Sequence, residues 1–318
     1  MTTVASAPAA ARRARLALTG DVVAVLSVAV WTVALVAVTW GGWGDLDSDT
    51  GYDLEAAARI AGGAVPYADF TYYYGPLGPA LAAVAVLVGG EGFGAGVALG
   101  LVITLLLVGA TYAVGRIVLS PLGAGLAAGL TAAVALAPNN YSFVLPHTYD
   151  APLGTLFLLG LCLAVWGYAR SGSAWWVGAA GAAVGLCALT KPEPFLAALV
   201  ATVLWAVVRA RRVGWPRRDL VALIVPAVGV PAVAYGPFLA RVSLHRLVFE
   251  NLYPVDLLRA GDGAMTKARL PMTLSSGAEL GGRLVVYAIG AAALVVLARL
   301  LHLRIGGRAL VAATVLGA

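Results

Sequence analysis

The stretch "LGPALAAVAVLVGG" at 77–90 decides how this chain is threaded. It is apolar throughout but covers 14 residues, whereas a helix needs about 20 to cross a bilayer. If it crosses, every later loop changes side. Arg116, Arg170, the cluster Arg209, Arg211, Arg212, Arg217 and Arg218, and then Arg299, Arg304 and Arg308 all end up opposite Arg12, Arg13 and Arg15. If it does not cross, all of them share one side. Loops rich in Lys and Arg stay in the cytoplasm, so the second threading is expected, with 77–90 an interfacial or re-entrant helix.

The composition sets the solvent. The 318 residues are 61% hydrophobic and 11% charged, with a mean hydropathy of +0.91. A water-soluble domain carries roughly a quarter charged residues, so the expected fold class is all-α, a polytopic helical bundle in a lipid bilayer. The net charge of +6 does not point to nucleic acid, because the arginines recur between apolar runs instead of forming one groove-sized patch. Cys162 and Cys187 sit inside apolar runs with no metal-ligand spacing and read as small hydrophobes.

Expected spans cover 20–40, 97–117, 121–140, 152–169, 174–190, 195–210, 220–237 and 284–301, and a further one begins near 309. The basic start before the first run resembles a signal peptide, but the run is too long and lacks a cleavage site. Residues 1–19 are therefore expected as a cytoplasmic tail, 20–308 as the membrane module, and 309–318 as the start of a further span. External loops fall at about 41–96, 141–151, 191–194 and 238–283, in the cell membrane and with any chemistry on the outer face. Gly92, Gly96 and Gly100, then Gly125 and Gly129, then Gly181 and Gly185, repeat at the small-xxx-small spacing that lets helices pack closely. "GEGFGAG" (90–96) lacks the strand–turn–helix setting of a dinucleotide site, and Asn140-Tyr-Ser142 is a bare sequon match.

With this threading, all acids except Asp21 and Asp219 lie on the outer side. Five of the chain's 15 acids (Asp45, Asp47, Asp49, Asp53 and Glu55) crowd into 45–55. "YDLEAAARIAGG" (52–63) is expected as a short amphipathic helix with Leu54, Ala57, Ala58 and Ile60–Ala61 on its apolar side, ended by Gly62-Gly63. Capping and the helix dipole account for some acids there, but not for so many. The second external loop, "APNNYSFVLPHTYDAP", brings His147 and Asp150. The third, "LTKPEPF", brings Lys191 and Glu193. An interfacial histidine and a snorkelling lysine are the plain readings of His147 and Lys191, yet ionisable groups this close to the bilayer are functional candidates. The fourth loop, with Arg241, His245, Arg246, Glu250, Tyr253, Asp256, Arg259, Lys267 and Arg269, reads as a solvated face. Carboxylates beside isolated cations and aromatics suit group transfer from a lipid-linked phosphate. A carboxylate acts as base toward an acceptor, a cation stabilises the departing phosphate, and Tyr72, Tyr73, Tyr74 and Tyr149 pack against sugar or headgroup.

"D-x-G-x-D" at 49–53, "PYADFTYYYGPLGP" at 66–79, "ALAP…PHTYDAP" and "GLCALTKPEP" resemble the GT-C superfamily of membrane glycosyltransferases, in particular its bacterial family-39-like branch related to protein mannosyltransferases and aminoarabinose transferases. The resemblance covers residues 20 to about 255. It implies a GT-C bundle with a large first external loop carrying juxtamembrane helices. It also implies an inverting transferase that moves a sugar from a polyprenyl-phosphate donor to a lipid, glycan or protein acceptor. Its first-loop acid falls on Asp49, with Asp53 second; its second-loop acid falls on Asp150; its phosphate-binding lysine falls on Lys191, with Arg59 as helper. Thr50 stands where many relatives have Glu, which leaves open whether a divalent cation takes part. Relatives continue with more spans, so a fragment or a short member is expected. A transporter or flippase is the alternative; that class places ionisable or broken-helix features near the midplane, and these spans are almost free of charge. An inactive scaffold is the third possibility.

Overall fold

The computed structural model describes residues 7–44, 49–90, 92–139 and 142–252. Asp45, Asp47, Asn140, the loop beyond 252 and the spans expected at 284–301 and from 309 lie outside the described residues. Within them the chain forms α1 (Ala7–Thr39), α2 (Asp49–Ala61), α3 (Leu77–Gly89), α4 (Phe93–Val118), α5 (Pro121–Ala135), α6 (Asp150–Ser171), α7 (Ala174–Cys187), α8 (Pro192–Val213), α9 (Arg217–Leu239) and a π-helical turn, Arg246–Leu252. Five helical segments are long and apolar enough to cross a membrane: Leu18–Thr39 within α1, then α4, α6, α8 and α9. The chain is a helical membrane protein.

Polar contacts define the two ends of the bundle. At one, Asp21 near the start of the first apolar segment accepts hydrogen bonds from Arg116 (2.6 Å) and Tyr112 (2.6 Å) of α4. At the same end Tyr168 of α6 donates to Asp219 of α9 (2.5 Å), and Arg209 of α8 sits 3.4 Å from Asp219. Arg170, Arg211, Arg212, Arg217 and Arg218 gather here too. The opposite, acidic end holds α2, α3, the Leu145–Asp150 segment and the α7–α8 turn.

Helix α3 lies at the acidic end of the bundle. The Gly78 amide donates to Asp150 at the start of α6 (2.8 Å), while Gly89 faces Ala95 in the first turns of α4. Both ends of α3 therefore sit at the acidic end, and the helix does not cross. The helices that follow alternate direction, which brings Arg116, Arg170 and the Arg209–Arg218 turn to the other end.

Three boundaries differ from expectation. Helix α1 begins at Ala7, so the basic run at Arg12–Arg15 is helical and not a loose tail. Helices α5 and α7 have 15 and 14 residues, about 22 Å at 1.5 Å per residue, short of the ~30 Å hydrocarbon core. Each packs between two longer helices: α5 between α1 and α4, and α7 between α6 and α9, while Leu122, Leu126, Leu130 and Val134 of α5 stay exposed. Non-helical ends complete their runs. Beyond α5, Pro138 reaches Gly42 and the Leu136 carbonyl accepts from the Trp43 indole (3.0 Å), so α5 with its tail matches the first segment from Gly20 to Gly42. Protein partners satisfy these backbone ends, which lipid could not do. Helix α9 stays continuous through Pro226, Pro231 and Pro237.

Glycines set the spacing, because packing between helices in lipid depends on close backbone approach. A Cβ on Gly100 of α4 would collide with the Val144 carbonyl, and one on Gly181 of α7 with the Leu223 carbonyl of α9. Gly160 of α6 has open space around it. Gly100→Ala and Gly181→Ala are each expected to lower the Tm of the detergent-purified protein, at about 1–3 kcal/mol of overpacking. Gly160→Ala is expected to leave it unchanged or raise it. Equal Tm values for all three would refute this packing.

Candidate functional site

The segment between α1 and α4 builds the site because its polar side chains find partners that its apolar ones do not need. Helix α2 buries Thr50, Asp53, Ala56 and Ala57, a different face from the apolar side expected over Leu54, Ala57, Ala58 and Ile60; Ala58 is exposed. Asp53 turns inward because it is met there. It accepts from the Tyr72 hydroxyl and, at 3.1 Å, from the Tyr149 backbone amide. One helical turn earlier, Asp49 is exposed.

The 62–76 segment is held by its own turn chemistry. The Asp69 carboxylate accepts from the Val65 amide (2.7 Å), and Tyr67 adopts φ +68°, a left-handed conformation uncommon for a bulky residue. Tyr67 is buried, meets Phe238 of α9 edge-on at 5.1 Å and donates to the Tyr74 carbonyl (2.8 Å). The Tyr72 amide donates to Asn251 of the π-helical turn (3.2 Å). The Gly75 and Leu77 amides then donate to the Thr190 and Leu189 carbonyls (2.7 and 3.1 Å). Gly75 is needed there because a Cβ would collide with the Leu189 backbone.

Asp150 is wholly buried, at 0% exposure. One oxygen takes the Gly78 amide and the other the Thr148 hydroxyl (3.5 Å). Beside it is a cationic group. Lys191, at the N-cap of α8, holds its Nζ 3.4 Å from His147 Nε2 and 5.0 Å from the centre of the Tyr74 ring. Lys191 forms no ion pair among the described residues, although it is close enough to act electrostatically on Asp150. Burial and Lys191 push the His147 pKa below its ordinary value, and Asp49 and Glu193 only partly oppose them. His147 is thus neutral near pH 7 and surrounded by Lys191, Asp49 and Glu193.

The sequence candidates divide into groups. Asp49, His147, Lys191, Tyr74 and Glu193 share an accessible or half-buried rim, and Asp53, Asp150, Tyr72 and Tyr149 lie beneath it. Tyr72 and Tyr149 are buried, with the Tyr72 hydroxyl donating to Asp53 and the Tyr149 hydroxyl to the Gly96 carbonyl, so they are not an open platform for a sugar. Arg59 is not brought to Lys191; it pairs with Glu55 (2.6 Å) and lies over Phe70. Sequence reasoning missed Thr148, Gly75, Gly78 and Asn251. The nearest signal was the glycines of "YYYGPLGP", which stand where backbone meets backbone or a carboxylate.

Asp53 and Asp150 give their oxygens to protein donors, and no three His, Cys, Asp or Glu groups converge among the described residues. Comparison with protein-family models, curated proteins and solved structures finds no match.

Burial raises the Asp53 pKa to about 6, against the lowering effect of its hydrogen bonds. Below pH 4 the carboxyl is protonated in both folded and unfolded chains. Between about 4 and 6 the unfolded chain releases the proton and the folded one keeps it. This group's stabilisation is therefore full at pH 4 and lost as pH rises through 6, on the order of 2–3 kcal/mol. In Tm measurements from pH 4 to 7, Asp53→Asn is expected to gain on wild type as pH rises, whatever its offset at pH 4. Parallel curves would contradict this.

Proposed function

We propose that this protein is a membrane glycosyltransferase, moving a sugar from a polyprenyl-phosphate donor to an acceptor with inversion. The observation that carries the reading is Lys191: a cation with no ion pair among the described residues, braced on Tyr74 and His147 at the end of a lipid-embedded bundle, with exposed Asp49 across the same rim. By the positive-inside rule the arginine-rich end faces the cytoplasm. The site then opens on the outer face of the cell membrane, within reach of a donor whose lipid tail stays in the bilayer.

In this reading Asp49 is the base. It takes the proton from an acceptor hydroxyl as that oxygen bonds to the anomeric carbon, and the bond from that carbon to the phosphate oxygen breaks. The electron pair leaves with the polyprenyl phosphate, whose charge Lys191 stabilises. Neutral His147 orients Lys191 and can take up a proton when the phosphate arrives. Asp53 and Asp150 are positioning residues, holding α2 and the start of α6 so that Asp49 and Lys191 face one space. Glu193, on the first turn of α8, borders the acceptor side. No step is routed through a metal. The transporter alternative lacks a specific support: the ionisable groups of the described spans cluster at their ends, and α9 is unbroken.

The test is transfer of radiolabelled sugar from a panel of polyprenyl-phosphate sugars by membranes carrying each variant. Asp49→Asn is expected to reduce transfer roughly 100-fold or more while inserting normally, and Lys191→Met to raise the donor KM and lower kcat. Glu55→Gln, away from the rim, is expected to behave as wild type. Full activity in Asp49→Asn would remove the base assignment. No wild-type transfer with any donor would favour a transporter or scaffold.

A further inference from the structure

The arginine-rich end carries a second feature, independent of the transferase reading. Helix α8 ends with Arg211 and Arg212, and α9 begins with Arg217 and Arg218; only Val213, Gly214, Trp215 and Pro216 lie between. All four arginines are exposed. The turn that presents them is fixed. The Trp215 indole donates to the Ala206 carbonyl (2.9 Å) and meets Trp205 edge-on at 5.2 Å. The Arg209 guanidinium lies 4.9 Å from both the Trp215 and the Tyr168 ring centres.

Counter-charge at this end is already committed. Asp219 is buried and held by Tyr168, Arg209 and, at 3.5 Å, Arg218. Asp21 is held by Arg116. Arg211, Arg212 and Arg217 have no ion pair among the described residues. Both flanking helices are membrane spans, so a turn this short cannot carry the guanidinium groups beyond headgroup depth. Exposed Val208, Val213, Leu220 and Val221 continue from them along the apolar faces of α8 and α9.

We propose that this turn is a binding site for an anionic phospholipid. Arg211, Arg212 and Arg217 hold its headgroup phosphate, and the acyl chains lie along α8 and α9. The arginine fork matches two phosphate oxygens at once, and clustered cations next to a membrane span attract acidic lipids. A charge bias that only directs insertion requires no fixed turn and no selectivity among lipids; the proposed site requires both.

The experiment uses the full chain purified in a neutral detergent, with Tm followed as phosphatidylglycerol, phosphatidylcholine or inorganic phosphate is added. A ligand that binds only the folded state raises Tm with its concentration. Phosphatidylglycerol is expected to raise it, and phosphatidylcholine and inorganic phosphate to leave it unchanged. Arg211→Ala/Arg212→Ala/Arg217→Ala is expected to need about 100-fold more phosphatidylglycerol for the same shift, from three cations at about 1 kcal/mol each. Arg241→Ala, at the acidic end, is expected to respond as wild type. Equal stabilisation by phosphatidylcholine, a shift with inorganic phosphate, or an unchanged response in the triple variant would each overturn the proposal. If the triple variant does not fold, Arg212→Gln/Arg217→Gln takes its place, and the lipid comparison on wild type is decisive by itself.

Discussion

The buried carboxyl of Asp53 ties the acidic end of the molecule together. It belongs to α2, accepts from the hydroxyl of Tyr72 in the following segment, and accepts from the amide of Tyr149 just before α6. A carboxyl at 1% exposure is costly unless its oxygens are engaged, and these contacts engage both. The backbone of Tyr72 extends the link to Asn251 after α9. Four segments distant in sequence therefore meet around one side chain. With α2 fixed against α6, α3 is held across the end of the bundle, its Gly78 amide on Asp150.

The same arrangement separates two kinds of acid. Asp53 and Asp150 lie under the surface with their oxygens occupied by protein donors, which makes them supports. Asp49 remains in contact with solvent, next to a neutral histidine and a lysine without an ion pair among the described residues. Carboxyls that differ in this way within one small region are suited to different tasks: the buried ones fix geometry, and the exposed one can exchange a proton. Lys191 gains from the same economy, since its amino group is braced by an aromatic face and an imidazole and still has hydrogen-bonding capacity for an anion.

Between the two ends the bundle is nearly free of charge. Hydrophobic burial does not drive helices together in lipid, so close backbone approach at Gly100, Gly181 and Gly185 does more of the work. Among the described residues, the ionic contacts between helices lie at their ends, where Asp21–Arg116 joins α1 to α4 and Asp219–Arg209 joins α9 to α8. Each end thus carries its own polar groups: a carboxylate and lysine rim at one, and a fixed arginine turn at the other.

Composition by itself determined that lipid is the solvent, because 11% charged residues cannot cover a water-exposed surface of this size. Arginine spacing led to the expectation that 77–90 does not cross, because only that threading gathers the basic turns on one side. The close-packing role expected from the small-xxx-small spacing holds at Gly96, Gly100, Gly125, Gly181 and Gly185 but not at Gly92, which has open space around it, or Gly129, which is in ordinary contact. The lengths of α5 and α7 were not legible, because whether a short helix can end inside a bundle depends on neighbours such as Trp43 that satisfy its last carbonyls. Nor could the sequence separate Asp49 from Asp53. They lie one helical turn apart, and the one that faces inward is chosen by a hydroxyl 19 residues away and an amide 96 residues away. The sequence offered Lys191 for the phosphate with Arg59 as its helper. The pair that Arg59 makes with Glu55 is a local contact one helical turn apart, whereas only the tertiary structure brought Lys191 to His147, a residue from another loop, with no carboxylate in ion-pair reach among the described residues.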